Sequence, residues 1–213
     1  MDRSWVRKKN GFTLIELLAG ILISAILLAG LYSVFFSQRT AFSAQEQVAE
    51  MNQNIRAALD LMTREIRLAG YKTSTSTFNG IATATSNSIQ ILADLNQNGD
   101  TADDNENISY TYNAGARQIC RNGISLPAVP VADNITDLSL QYTLKDGTVT
   151  PAPANPADIR KVTISITART THPDQGTGTY RSITLSSDIA LRNLASSIKE
   201  GLHEGSVIHE ADF

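Results

Sequence analysis

Oxygen-bearing side chains recur around a glycine in Asp94-Leu95-Asn96-Gln97-Asn98-Gly99-Asp100, with Asp103 and Asp104 just beyond. Ca2+ takes about six to eight oxygens, and ligands at the first, third and fifth positions before a glycine let a short loop wrap the ion. The twelfth position here is Asn105, and Glu106 falls one step late for the bidentate carboxylate of an EF-hand. Two readings therefore fit: a weak Ca2+ site built from Asp94, Asn96, Asn98, Asp100, Asp103 and Asp104, or a polar hairpin turn, because Asn, Asp and Gly are also turn residues. A second carboxylate, Glu16, lies at the start of a long apolar run. A charge there costs roughly 2.5–3.5 kcal/mol at a helix centre and less near an interface. It is either solvated at the headgroup level or paired with a charge inside an assembly.

Catalytic chemistry finds no such pattern. No nucleophile with a base, no paired carboxylates in a pocket context and no phosphate-binding glycine loop occur in recognisable spacing. Cys120 is the single cysteine, which excludes an intramolecular disulfide and a cysteine-based zinc site. It reads as a small apolar strand residue, or as an exposed thiol linking subunits. His172, His203 and His209 fall in no metal-ligand spacing and read as surface residues.

These groups must be positioned by elements that the hydropathy pattern outlines. Residues 17–36 carry no charge, enough for one membrane-crossing helix of about 20 residues. Arg3, Arg7, Lys8 and Lys9 precede it and are expected to stay cytoplasmic, which places the rest of the chain on the outer side. The apolar run is too long for an ordinary secretory signal. Beyond it no Gly or Pro interrupts residues 38–69, where Val48, Met51, Ile55, Leu59, Met62, Ile66 and Ala69 recur at three- and four-residue spacing. One helix over 12–69, about 87 Å long, is the expectation, with Gly70 as its stop.

Past residue 71 the period changes to two. Alternating runs at 88–93, 107–112, 117–121, 135–144, 158–169 and 180–191 predict an antiparallel sheet. Val162, Ile164 and Ile166, with Ile183, Leu185 and Ser187 on the next strand, are expected to cover the helical stripe. Residues 73–77 and 82–87 read as loop, 148–156 as a proline-containing connector and 172–179 as a hairpin loop. The fold class is thus α+β: a leader over 1–11, a membrane and assembly helix over 12–36, an amphipathic helix over 37–70, a β-rich domain over 71–198 and a tail over 199–213. The 213 residues carry a net charge of -3 and no basic patch interleaved with aromatics, which leaves nucleic-acid binding unsupported.

Gly11-Phe12-Thr13-Leu14-Ile15-Glu16, after a short basic leader and before an apolar helix, resembles the class III signal of type IV pilins. That resemblance implies cleavage between Gly11 and Phe12 by prepilin peptidase and N-methylation of Phe12. It also places Glu16 where the family's glutamate neutralises the terminal amine of a neighbouring subunit. Such an amine and carboxylate attract strongly in low dielectric, so their pairing would select helix register. Residues 54–71 are similar to PilW-type minor pilins and J-type minor pseudopilins, and the lone Cys120 departs from the cysteine pair usual in major pilins. The implied function is a non-enzymatic subunit that initiates or caps a type IV pilus. A minor pseudopilin of a type II secretion system and a tip-located adhesin are the alternatives. The implied partners are prepilin peptidase, other minor and major pilins or pseudopilins and the inner-membrane assembly platform. The implied location is the bacterial inner membrane, with a periplasmic C-terminal domain, and then the filament.

Overall fold

The computed structural model describes residues 11–73, 76–125 and 127–194. All of the expected 1–11 leader except Gly11, and the expected tail over 199–213, lie outside them. Among the described residues a long helix, α1 (Leu14–Arg67), is followed by nine strands and one short 3-10 turn. The chain divides into two compact units, Met1–Glu46 and Gln47–Phe213.

In the first unit every large apolar side chain from Phe12 to Phe42 is exposed. By length and composition α1 is able to cross a membrane.

In the second unit, α1 buries Met51, Ile55, Ala58, Leu59, Met62 and Ile66, which is the stripe that three- and four-residue spacing dictates. Its last turn tightens, with Leu68 and Ala69 donating to the carbonyls of Glu65 and Ile66. Gly70 then adopts φ +77°, a left-handed stop open to glycine at little cost.

The β-domain holds two antiparallel sheets where the alternating runs predicted one. β1 (Ile81–Ala84), β2 (Ser88–Leu92), β3 (Asn107–Asn113), β4 (Gln118–Asn122) and β5 (Val129–Ala132) form a five-stranded meander in sequence order. β6 (Ile135–Leu144), β7 (Val149–Thr150), β8 (Ile159–Arg169) and β9 (Ser182–Ala190) form the second sheet in the order β7-β6-β8-β9. Asn134, at φ 56°, turns the chain from one sheet into the other. Its carbonyl accepts from Arg169 N, and Ile135 N donates back to Arg117 O. Alternation reports which residues face inward and is silent on which strands pair, so the division arises from this turn.

Three strands escape the sequence pattern. β1, read as loop, is four residues with a bulge and one buried side chain, Ile81. β5 is a short edge strand containing Pro130, and β7 is a two-residue edge within the proline-containing connector. The long strands keep their predicted bounds closely. In β6 the buried residues are Ile135, Leu138, Leu140 and Tyr142, and the three-residue step after Ile135 coincides with a register shift between Ile135 and Asp137. The β8 side chains Val162, Ile164 and Ile166 are fully buried as expected, whereas Ile183 and Leu185 of β9 are only half-buried. Helix residues Ile55, Met62 and Ile66 share one core with Ile89, Ile91 and Tyr110 of the first sheet and Leu140, Val162 and Ile164 of the second.

Candidate functional site

Two places gather the polar groups singled out above. The first is the start of α1. Thr13 N and Thr13 Oγ1 both donate to Glu16 Oε2 at 2.9 Å, and Glu16 N donates to Thr13 Oγ1 at 3.3 Å. This reciprocal pattern is a capping box, in which a threonine and a glutamate three residues on satisfy donors that the first helical turn leaves over. Glu16 thus has a local role that the resemblance alone did not suggest, though Thr-x-x-Glu before an apolar run is its sequence signature. Phe12, Glu16, Gly20 and Ser24 follow one another at four-residue spacing along one side of the helix, and they line a shallow apolar recess with Leu17, Ile21 and Leu28.

The second place is the loop from Asp94 to Glu106, between β2 and β3. Asp94 is fully buried, and its Oδ2 accepts from Ser76 Oγ at 3.1 Å and from Gly99 N at 3.0 Å. Asn96 Oδ1 accepts from Asn98 N, Asn98 Oδ1 from Asp100 N, and Asp100 Oδ1 from Ala102 N, so successive side chains each fold the backbone into a turn. The amides of Asn96 and Asn98 both donate to Asp103 Oδ2, at 2.6 and 3.2 Å. Glu106 is 3% exposed, and its Oε1 accepts from Leu95 N at 2.7 Å and Asn96 N at 3.0 Å.

One carboxylate oxygen from each of Asp100, Asp103 and Glu106 lies within 4.8 Å of the others. The structure therefore joins two of the six predicted ligands to a residue that EF-hand spacing had set aside. Asn96 and Asn98 brace the loop, Asp104 is exposed outside this group, and Asp94 is tied to Ser76 and Gly99. The signal that would have found Glu106 is its phase: one residue before β3, it stands in step with the buried Ile108 and Tyr110, a position where an unneeded carboxylate is costly.

The loop is also anchored to the helix. Asp94 N donates to Tyr71 O and Gly70 N to Leu92 O, at 2.8 and 2.9 Å. Arg121 on β4 donates Nη2 to Asn105 Oδ1 and grips both carboxylate oxygens of Glu65 on α1 at 3.0–3.1 Å. Tyr110 OH donates to the same Glu65 carboxylate. Sequence reading did not single out this trio, since none of its members falls in a motif.

Residues 44–189 match the family described as Prepilin peptidase-dependent protein B. Residues 6–32 match the Prokaryotic N-terminal methylation motif, which takes in Gly11, Phe12 and Glu16. No protein of curated function matches. Among solved structures, a type IV-like pilin from Thermus thermophilus is similar at 12% identity and a TM-score of 0.45, over 67% of this chain and 97% of that one. With the family match covering more than half of the chain and the methylation motif lying on the exposed apolar start of α1, the chain belongs to the prepilin peptidase-dependent protein B family of type IV pilin-like proteins.

Proposed function

We propose that this chain is a PilW-like minor pilin that initiates or caps a type IV pilus. The observation that carries the reading is the methylation motif over residues 6–32, coincident with a helix whose large apolar side chains are all exposed from Phe12 to Phe42. Exposed apolar surface of that extent suits lipid first and the helices of other subunits afterwards.

In this reading prepilin peptidase cuts between Gly11 and Phe12, and Phe12 becomes the methylated N-terminus. The basic residues Arg3, Arg7, Lys8 and Lys9 hold the leader in the cytoplasm, so the β-domain lies in the periplasm before assembly. Glu16 pairs with the terminal amine of a neighbouring subunit. Its capping bonds do not conflict with that role, because both go to Oε2 and a carboxylate offers about four acceptor sites. The subunit acts by packing and charge pairing, as a peptidase substrate and not as a catalyst.

The test is intact mass and N-terminal sequencing of the membrane-extracted protein from cells with and without prepilin peptidase. A mature chain starting at methylated Phe12, formed only with the peptidase, is the expected result. An uncleaved Met1 form, or a cut beyond Phe36, would return the protein to an ordinary anchored or secreted domain.

A further inference from the structure

We propose that the loop from Asp94 to Glu106 binds one Ca2+ ion, with carboxylate oxygens of Asp100, Asp103 and Glu106 as its protein core. The inference is independent of the pilus assignment.

Distance is the first argument. Oxygens bound to one Ca2+ lie at about 2.3–2.6 Å from it, so any two of them stand at most about 5 Å apart. The three carboxylates already meet that limit, at 4.8 Å or less. Mg2+ at about 2.0–2.1 Å would hold its oxygens within about 4.2 Å and demands a stricter octahedron. The donor set is all oxygen, which favours a hard cation over zinc or copper.

Burial is the second, independent argument. Glu106 is 3% exposed and Asp94 is fully buried, yet Glu106 Oε2 and Asp94 Oδ1 accept no hydrogen bond among the described residues. Leaving a buried charged acceptor unsatisfied costs about 1–3 kcal/mol or more. Among the described residues no lysine or arginine forms an ion pair with Asp94, Asp100, Asp103 or Glu106. Residues 94–106 contain five acids, Asp94, Asp100, Asp103, Asp104 and Glu106, and no basic residue. A cation at Glu106 Oε2 supplies the missing partner, while the bonds from Leu95 N and Asn96 N to Oε1 hold the group in place. The amides of Asn96 and Asn98 fix Asp103 in the same way through its Oδ2. Asp94 shapes the loop through Gly99 N, and its free Oδ1 is available to the ion or to a water bound on it.

The position gives the ion something to do. Glu106 immediately precedes β3, and Asp94 holds Ser76 and Tyr71 in the segment that leaves α1. Calcium would therefore lock the helix exit against the first sheet, and the β-domain would be firmer in calcium-containing surroundings than in the cytoplasm.

The experiment is calorimetric titration and thermal melting of the full chain in detergent, stripped with a chelator and then given CaCl2, with MgCl2 as the comparison. One Ca2+ per chain is expected, with Kd of about 0.1–1 mM as in extracellular modules, and a Tm rise of roughly 3–8 °C at about 10 mM calcium. Asp103→Asn sits on an exposed residue and will fold; it should weaken binding at least about ten-fold, and Glu106→Gln should abolish it. No heat and no Tm rise for the folded wild-type chain would overturn the proposal. Wild-type affinity in a folded Asp103→Asn variant would overturn this placement of the ion, whatever Glu106→Gln does.

Discussion

Gly80 lies so close to Gly70 that a Cβ on Gly80 would stand 2.2 Å from the Gly70 nitrogen and 2.5 Å from its Cα. The approach stitches the end of α1 to the first sheet, because Gly70 N donates to Leu92 O and Leu92 N donates to Gly80 O. The obstacle is backbone, which cannot swing away as a side-chain tip can. Gly80→Ala should therefore cost about 2–4 kcal/mol, in the range of overpacked or strained core sites. Urea unfolding of the variant checks this, and a loss below about 0.5 kcal/mol, the usual bound for an inert surface change, would contradict the packing described.

The Glu65–Arg121 pair should behave as a partly buried ion pair. Its side chains are 15% and 17% exposed, and Tyr110 and Asn105 satisfy the outer atoms. Removing either partner leaves a charge facing low dielectric, so Glu65→Ala or Arg121→Ala should each cost about 2–3 kcal/mol. The double variant should lose less than the sum, with a coupling of about 1–3 kcal/mol in a double-mutant cycle. Strict additivity would mean that the two residues act separately.

Alkaline pH should unfold the domain through two buried phenols. Burial raises the titration of Tyr110, and the neighbouring Glu65 carboxylate raises it further. Burial likewise raises that of Tyr142, whose OH donates to Thr85 O at 2.8 Å. A group whose folded value lies above its unfolded value stabilises fully below the unfolded value, about 10 for tyrosine, and loses that contribution as pH rises past it. Stability should hold flat from about pH 7 to 9 and fall above about 10. Tyr142→Phe should lose about 1 kcal/mol at neutral pH and show a shallower alkaline decline, measured by urea midpoints across that range.

At the start of α1, two substitutions separate the two roles of Glu16. Glutamine can keep the capping box, whereas alanine removes it at a cost of about 1 kcal/mol in local helix stability. Neither should alter membrane insertion, which needs only the apolar run. If charge pairing governs assembly, Glu16→Gln and Glu16→Ala should be equally depleted from sheared filaments, read by immunoblot. Filament incorporation of Glu16→Gln at the wild-type level would assign the residue to helix capping alone.

By itself the sequence determined what depends on local composition and period. The uncharged run and the stripe of Met51, Ile55, Leu59, Met62 and Ile66 specify α1 and its buried face, because a helix of 3.6 residues per turn admits only one such face. Gly70 marks its end, and the six longer alternating runs reappear as strands with bounds shifted by at most two residues. The Gly11–Glu16 signal and the acid-rich loop were likewise legible, since spacing within a few residues is preserved on folding. Tertiary structure decided what depends on convergence. Two sheets in place of one follow from the left-handed turn at Asn134, and the short strands β1, β5 and β7 exist because longer neighbours offer them an edge. The meeting of Glu65, Tyr110 and Arg121, drawn from positions 65, 110 and 121, is invisible to any local period. The inward phase of Glu106 could be read from its two-residue spacing to Ile108 and Tyr110, but its meeting with Asp100 and Asp103 could not, because the path of the folded loop brings those carboxylates together.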